Sequence, residues 1–234
     1  MSTSRAPDLI RQERYSPQVT SVAAARPLLR GVSHLCAFVA VIPLGIVLGL
    51  SSDTGLGRAG AIAFGASVVT MFGASALYHR VMWKPRIRPW IRRLDHAMIF
   101  ALIAGTYTPF GLIVLRGSWR ISILAVVWSG AAVAILVKLF WASAPKWLVA
   151  TIAVALGWVG IVVFPQILDR IGVGGAILVL VGGLAYTVGA LVYAFKRPDP
   201  VPTVFGYHEI FHALVIAAVA CQYVAVAFFV LPRA

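Results

Sequence analysis

The chain of 234 residues is 61% hydrophobic and only 12% charged, and its mean hydropathy of +0.93 lies outside the range of a soluble domain of this length. Its formal charge of +13, from 20 Lys and Arg against 7 Asp and Glu, is not a nucleic-acid face: the basic residues sit in short connectors between apolar runs, where they set topology and touch anionic lipid. Composition therefore excludes a soluble enzyme and a nucleic-acid binder, and predicts an integral membrane protein whose partners are membrane lipids.

Residues 1–30 are polar and rich in Arg, Pro and Ser, with no short apolar stretch ahead of a small-residue cleavage site. They predict a disordered cytoplasmic tail and no cleaved signal peptide. Residues 31–234 then form one membrane domain. Apolar runs of spanning length fall at about 33–51, 61–81, 95–115, 120–140, 147–168, 173–195 and 206–231, which predicts an all-α polytopic protein of seven transmembrane helices. Pro43, Pro109 and Pro165 lie inside these runs, where membrane helices tolerate them if neighbours satisfy the freed carbonyls. Gly105, Thr106, Tyr107 and Pro109 are expected to give close helix packing and a kink. Cys36 and Cys221 each fall in an apolar run with no C-x-x-C partner and read as membrane-buried thiols outside any disulfide framework. Trp83, Trp90, Trp119, Trp141 and Trp147 lie near span ends and read as interfacial anchors. With seven spans, fifteen of the Lys and Arg fall on the side of the N-terminus and five on the other, which places the N-terminus in the cytoplasm and the C-terminus outside a cell membrane.

Ionisable groups at membrane depth are costly, so each is a functional candidate. They are His79, Asp95, His96, His208, Glu209 and His212, with His34 near the start of the first helix. The topology brings the end of the second helix and the starts of the third and seventh to one depth. His208 and His212 are four apart and share a helix face, as do Ser75 and His79. Three neutral imidazoles, His79, His208 and His212, with one open position form the ligand set of a catalytic zinc whose fourth place holds a water. Imidazole also suits iron or copper. A carboxylate is then wanted to relay a proton, and Asp95 is placed for it. Its simpler role is a cap at the start of the third helix. Ser75, one turn before His79, is placed to hydrogen-bond substrate or water, or merely its own backbone. His96 points about 100° away from Asp95 and reads as a packing residue. His34 reads the same way, with a supporting role behind the site kept open.

The blocks "SALYHR", "LDHAMIFALIAGTYTPF" and "GYHEIFHALV" resemble those of the hemolysin III family, the bacterial branch of the progestin and adipoQ receptors. The resemblance runs from about Arg30 to Val230, with Ser-x3-His, an Asp opening the third helix, and His-x3-His on the last helix in the family's order. It implies a seven-helix membrane protein with a cytoplasmic N-terminus and a zinc held by His79, His208 and His212, with Asp95 and Ser75 lining the site. It also implies kinship with membrane ceramidases, and hence hydrolysis of a lipid-like amide.

Glu209 completes a literal His-Glu-x-x-His, in which soluble zinc proteases use the Glu as base. The family pattern asks only for His-x3-His, so Glu209 stands second to Asp95 as the base. Three functions remain in view: a zinc-dependent hydrolase of a lipid amide or ester, a non-catalytic receptor or regulator of membrane state with a structural zinc, and a pore-forming hemolysin. The chain has too little polar surface for the water-soluble form that a secreted pore-former requires. Its oligomeric state is not encoded in any motif.

Overall fold

The computed structural model describes residues 27–141 and 144–234. They are helical throughout except for connectors, one of which carries an isolated antiparallel bridge between Val201 and Phe205. The helices are α1 (Val32–Leu50), α2 (Gly55–Arg80), α3 (Arg88–Pro109), α4 (Ser118–Phe140), α5 (Lys146–Gly157), α6 (Phe164–Phe195) and α7 (Tyr207–Ala225). The last turns of the α3 and α7 rods widen to π-helix over Phe110–Val114 and Val226–Val230.

Six helical rods are long and apolar enough to cross a membrane, against the seven expected. The difference lies in one stretch, Trp147–Phe195, which holds 49 helical residues and contains the fifth and sixth predicted runs. It is broken twice. α5 ends at Gly157 and passes through a 3-10 turn, Val159–Val163, into α6. Pro165 is therefore not inside a helix but in the first turn of α6, where its missing N–H has no intrahelical partner to lose. Within α6, Gly172 has φ 72° and ψ 175°, a conformation that residues with a Cβ avoid.

The expected kink around Pro109 takes the form of the π-helical turn that follows it, and Gly105 permits close packing as expected. A Cβ there would lie 2.1 Å from Ser67 Oγ on α2. Tyr107 does more than pack. Its hydroxyl donates to the Gly157 carbonyl at 2.5 Å and accepts from Gly160 N–H at 2.8 Å, satisfying backbone groups at the α5 break that lipid could not. Cys36 and Cys221 are free thiols, the first exposed on α1 and the second half-buried. Trp119, Trp141 and Trp147 are exposed at helix ends, as anchors should be.

The core lies between α2, α3, α4 and α7, built from Phe64, Phe72, Phe100, Val114, Val127 and Val226. The outward faces of α1, α4 and α6 carry exposed Val39, Ile46, Val133, Leu136, Ile177 and Leu184, which suit lipid tails in place of water. The expected tail of residues 1–30 lies outside the described residues up to 26. Residues 27–30 form a turn held by backbone bonds from Leu28 and Leu29 to the carbonyls of Thr203 and Val204.

Candidate metal centre

α2 ends in Tyr78, His79 and Arg80, α3 runs past its second turn to Asp95, and α7 begins at Tyr207. These three helix ends meet. His79, His208 and His212 each offer a ring nitrogen, and the three nitrogens lie within 4.8 Å of one another. His79 Nε2 and His208 Nε2 are 3.1 Å apart. The His79 ring also stands edge-on to that of His212, with centroids 5.2 Å apart. All three are buried or nearly so, and the Nδ1 atom of His212 is enclosed without a hydrogen-bond partner. Buried imidazole nitrogens left facing each other need either a shared proton or a cation. Three nitrogens at about 2.1 Å from a zinc ion lie roughly 3.4 Å apart, so this cluster fits a metal with small side-chain adjustments.

Asp95 is buried, and its Oδ2 lies 3.9 Å from His79 Nε2. Because α3 starts at Arg88, Asp95 is the eighth residue of the helix and not its cap. Its carboxylate is thus held two turns inside, beside the imidazoles. Ser75 is buried and accepts or donates a 2.8 Å bond with His34 Nδ1; like Asp95, it lines a cavity beside the cluster.

His34 is more central than its place in the sequence suggests. Only 2% exposed, it lies flat on His212 with ring centroids 3.6 Å apart and planes within 8°. It therefore fixes the Ser75 hydroxyl and one face of His212 at once. Nothing in the local sequence around His34 signals this, since the contact joins helices far apart in the chain. His96 is not part of the three-nitrogen group but lines the same cavity, with its Nε2 3.4 Å from the hydroxyl of Tyr193.

Glu209 stands apart from the imidazole nitrogens. Its Oε2 accepts from the Gly206 N–H at 2.9 Å, closing the first turn of α7 as a capping carboxylate does. Its Oε1 is 2.5 Å from Arg30 Nε in an ion pair whose Glu209 side chain is 2% exposed. The pair ties the start of α1 to the turn that carries His208 and His212. Arg30 was not distinguishable from other tail arginines by sequence. Glu209→Gln keeps a carbonyl oxygen for the cap and removes the charge facing Arg30, so it is expected to lower stability by about 1–3 kcal/mol while metal content per folded chain is unchanged. Thermal unfolding and metal analysis of the same preparation check both halves.

A cavity of about 420 Å³ opens from this cluster. Asp95, Ser75, His34, His208 and His212 line one end, and the remainder is walled mostly by apolar side chains such as Ile103, Phe110, Val154 and Ile167. Its volume and character are those of a small-ligand site.

A family model described as Haemolysin-III related matches residues 22–223. The chain belongs to this family. Among curated relatives, Hemolysin-3 of Bacillus cereus is 30% identical over 210 residues, covering 88% of this chain and 93% of its own length. The Hemolysin-3 homolog of Bacillus subtilis (strain 168) is 31% identical over 166 residues, 71% of this chain and 75% of the relative. The match takes in α1 to α6 and α7 as far as Tyr223, so the histidine cluster of this haemolysin-III-related protein lies within the matched region. Family and helices together make it a multi-pass membrane protein.

Proposed function

We propose that the protein is a zinc-dependent hydrolase of a lipid amide or ester, acting in a cell membrane. The observation that carries this reading is the convergence of His79, His208 and His212 beside a buried carboxylate, with His208, His212 and Asp95 lining an apolar cavity. His79, His208 and His212 would hold the metal, and when bound it would supply Lewis-acid polarisation of a carbonyl and a water acidic enough to react at neutral pH.

The chain's own residues do the rest. The cavity takes up an acyl chain, excludes bulk water and presents the carbonyl to the imidazole end. Asp95, its Oδ2 3.9 Å from His79 Nε2, accepts the proton of the attacking water at its carboxylate and returns it to the leaving nitrogen or oxygen. Ser75, held by His34, offers its hydroxyl to the substrate or to Asp95. Glu209 is occupied by Arg30 and the α7 cap, which supports Asp95 over it as the base.

In this reading the Trp147–Phe195 stretch crosses twice, turning at Gly172. A single straight helix of that length would measure about 74 Å at 1.5 Å per residue, more than twice the hydrocarbon thickness. Seven crossings then follow, and the surplus of Lys and Arg puts the N-terminus and the metal end of the bundle on the cytoplasmic side.

A second reading is favoured by one observation: the three ligands come from only two helices, α2 and α7, which a structural metal would join without chemistry. The test is fatty-acid release from a panel of lipid amides and esters by purified protein in detergent, with and without chelator. Release that stops on chelation and returns with zinc supports the hydrolase. No release from any substrate by metal-loaded protein would favour the structural role.

A further inference from the structure

The cavity continues well beyond the imidazole cluster, and its far part contains polar atoms that the chemistry just described does not use. Gln222 lines it and is 4% exposed. Its Nε2 donates to the Val179 carbonyl at 3.2 Å, while its Oε1 is buried with no hydrogen-bond partner. Tyr186, on α6, lines the same cavity, and its hydroxyl is likewise enclosed without a partner. At membrane depth an orphaned amide oxygen or phenol costs free energy that neighbouring lipid cannot restore, whereas leucine or phenylalanine would avoid that cost.

The placement is regular. His208, Val215 and Gln222 are seven apart along α7, as Tyr193 and Tyr186 are along α6, and all five line the cavity. Both series therefore follow one channel along the facing sides of two packed helices. Gln222 is ten residues beyond His212, about 15 Å along the helix axis. An amide oxygen already committed as an acceptor needs a donor, and a hydroxyl is the smallest donor a lipid chain can carry.

We infer that this end of the cavity is a specificity subsite for an oxygenated chain: Gln222 Oε1 and the Tyr186 hydroxyl recognise a hydroxyl group in the middle of the acyl chain, far from the carbonyl at the imidazole end. The inference rests on the lipid-cavity reading for its occupant but not on hydrolysis. A site built around a hydroxyl rejects a ligand lacking it, because the site's own polar atoms are then left unpaired.

The test is binding of two probes, stearate and a hydroxystearate with its hydroxyl in mid-chain, to detergent-purified protein by native mass spectrometry. Wild type is expected to prefer the hydroxylated chain roughly tenfold, and Gln222→Leu to bring the ratio to about one. Equal binding by wild type would overturn the subsite and show the orphaned atoms to be satisfied by internal water alone; so would a preference that Gln222→Leu leaves intact. Tyr186→Phe, which removes a single oxygen, is expected to reduce the ratio in the same direction and serves if the leucine variant does not fold. A preference for the hydroxylated probe in metal-loaded protein that releases no fatty acid from the panel of lipid amides and esters would retain the subsite and remove the hydrolase reading. Hydrolysis with no preference would do the reverse.

Discussion

Asp95→Asn is expected to lower lipid hydrolysis by about 100- to 10,000-fold and to leave the metal in place. The substitution keeps the size and the hydrogen-bonding shape of a group that is 8% exposed and 3.9 Å from His79, but it removes the basic oxygen. If the metal only joins helices, the same variant should fold, bind metal and function as wild type. Parallel measurement of fatty-acid release and metal content separates the two, because an unfolded variant loses both and a base-deficient one loses only the first. Full activity in Asp95→Asn would remove Asp95 from the chemistry.

Gly31→Ala is expected to be nearly as damaging, although Gly31 touches no substrate. It has φ 76° and precedes α1, and a Cβ there would fall 2.3 Å from His79 Cβ and 3.3 Å from its Cγ. Those are the root atoms of the imidazole, not the tip of a flexible side chain, so the clash can be relieved only by moving the ligand or the turn. Strain at positive φ and overpacking together are expected to cost about 2–4 kcal/mol. Displacing a ligand should weaken metal binding at least as much as losing an outer partner does, about 10- to 100-fold. Gly55→Ala, where an added Cβ meets nothing within 4 Å, is the control. Wild-type metal affinity in Gly31→Ala would show that the turn before α1 does not hold His79.

Much of this arrangement was legible in the sequence because membrane burial makes polar residues conspicuous. An apolar run tolerates few ionisable groups, so His79, Asp95, His208 and His212 stood out by position alone, and helical periodicity put His208 and His212 on one face. Glu209 was also visible, but as half of a motif; that its oxygens serve Gly206 and Arg30 depends on where the residue 27–30 turn is laid, which no periodicity records. His34 stands in the sequence only as a packing residue with a supporting role kept open, for a similar reason. Its value comes from lying on His212 and bonding Ser75, contacts between α1, α7 and α2 that a lone histidine near a helix start does not announce. Rising hydropathy predicts that Asp95 opens its helix, whereas α3 begins at Arg88, its first turns exposing Trp90 and carrying Arg92 and Arg93. Arg93 and Trp90 stabilise that turn by stacking, the guanidinium lying 4.3 Å from the ring centroid. The fifth and sixth runs fall in one helical stretch, Trp147–Phe195, interrupted by the 3-10 turn at Val159–Val163 and by the positive φ of Gly172.

His79, His208 and His212 are proposed to hold a metal ion. Elemental mass spectrometry on detergent-purified, folded protein tests this assignment most directly, with wild type beside His79→Ala and His212→Ala. About one zinc per chain is expected in wild type, lost in both variants while their helical content and thermal unfolding persist. Folded wild type that neither carries zinc nor takes it up on titration would contradict the assignment and leave the three histidines as hydrogen-bonded links between α2 and α7.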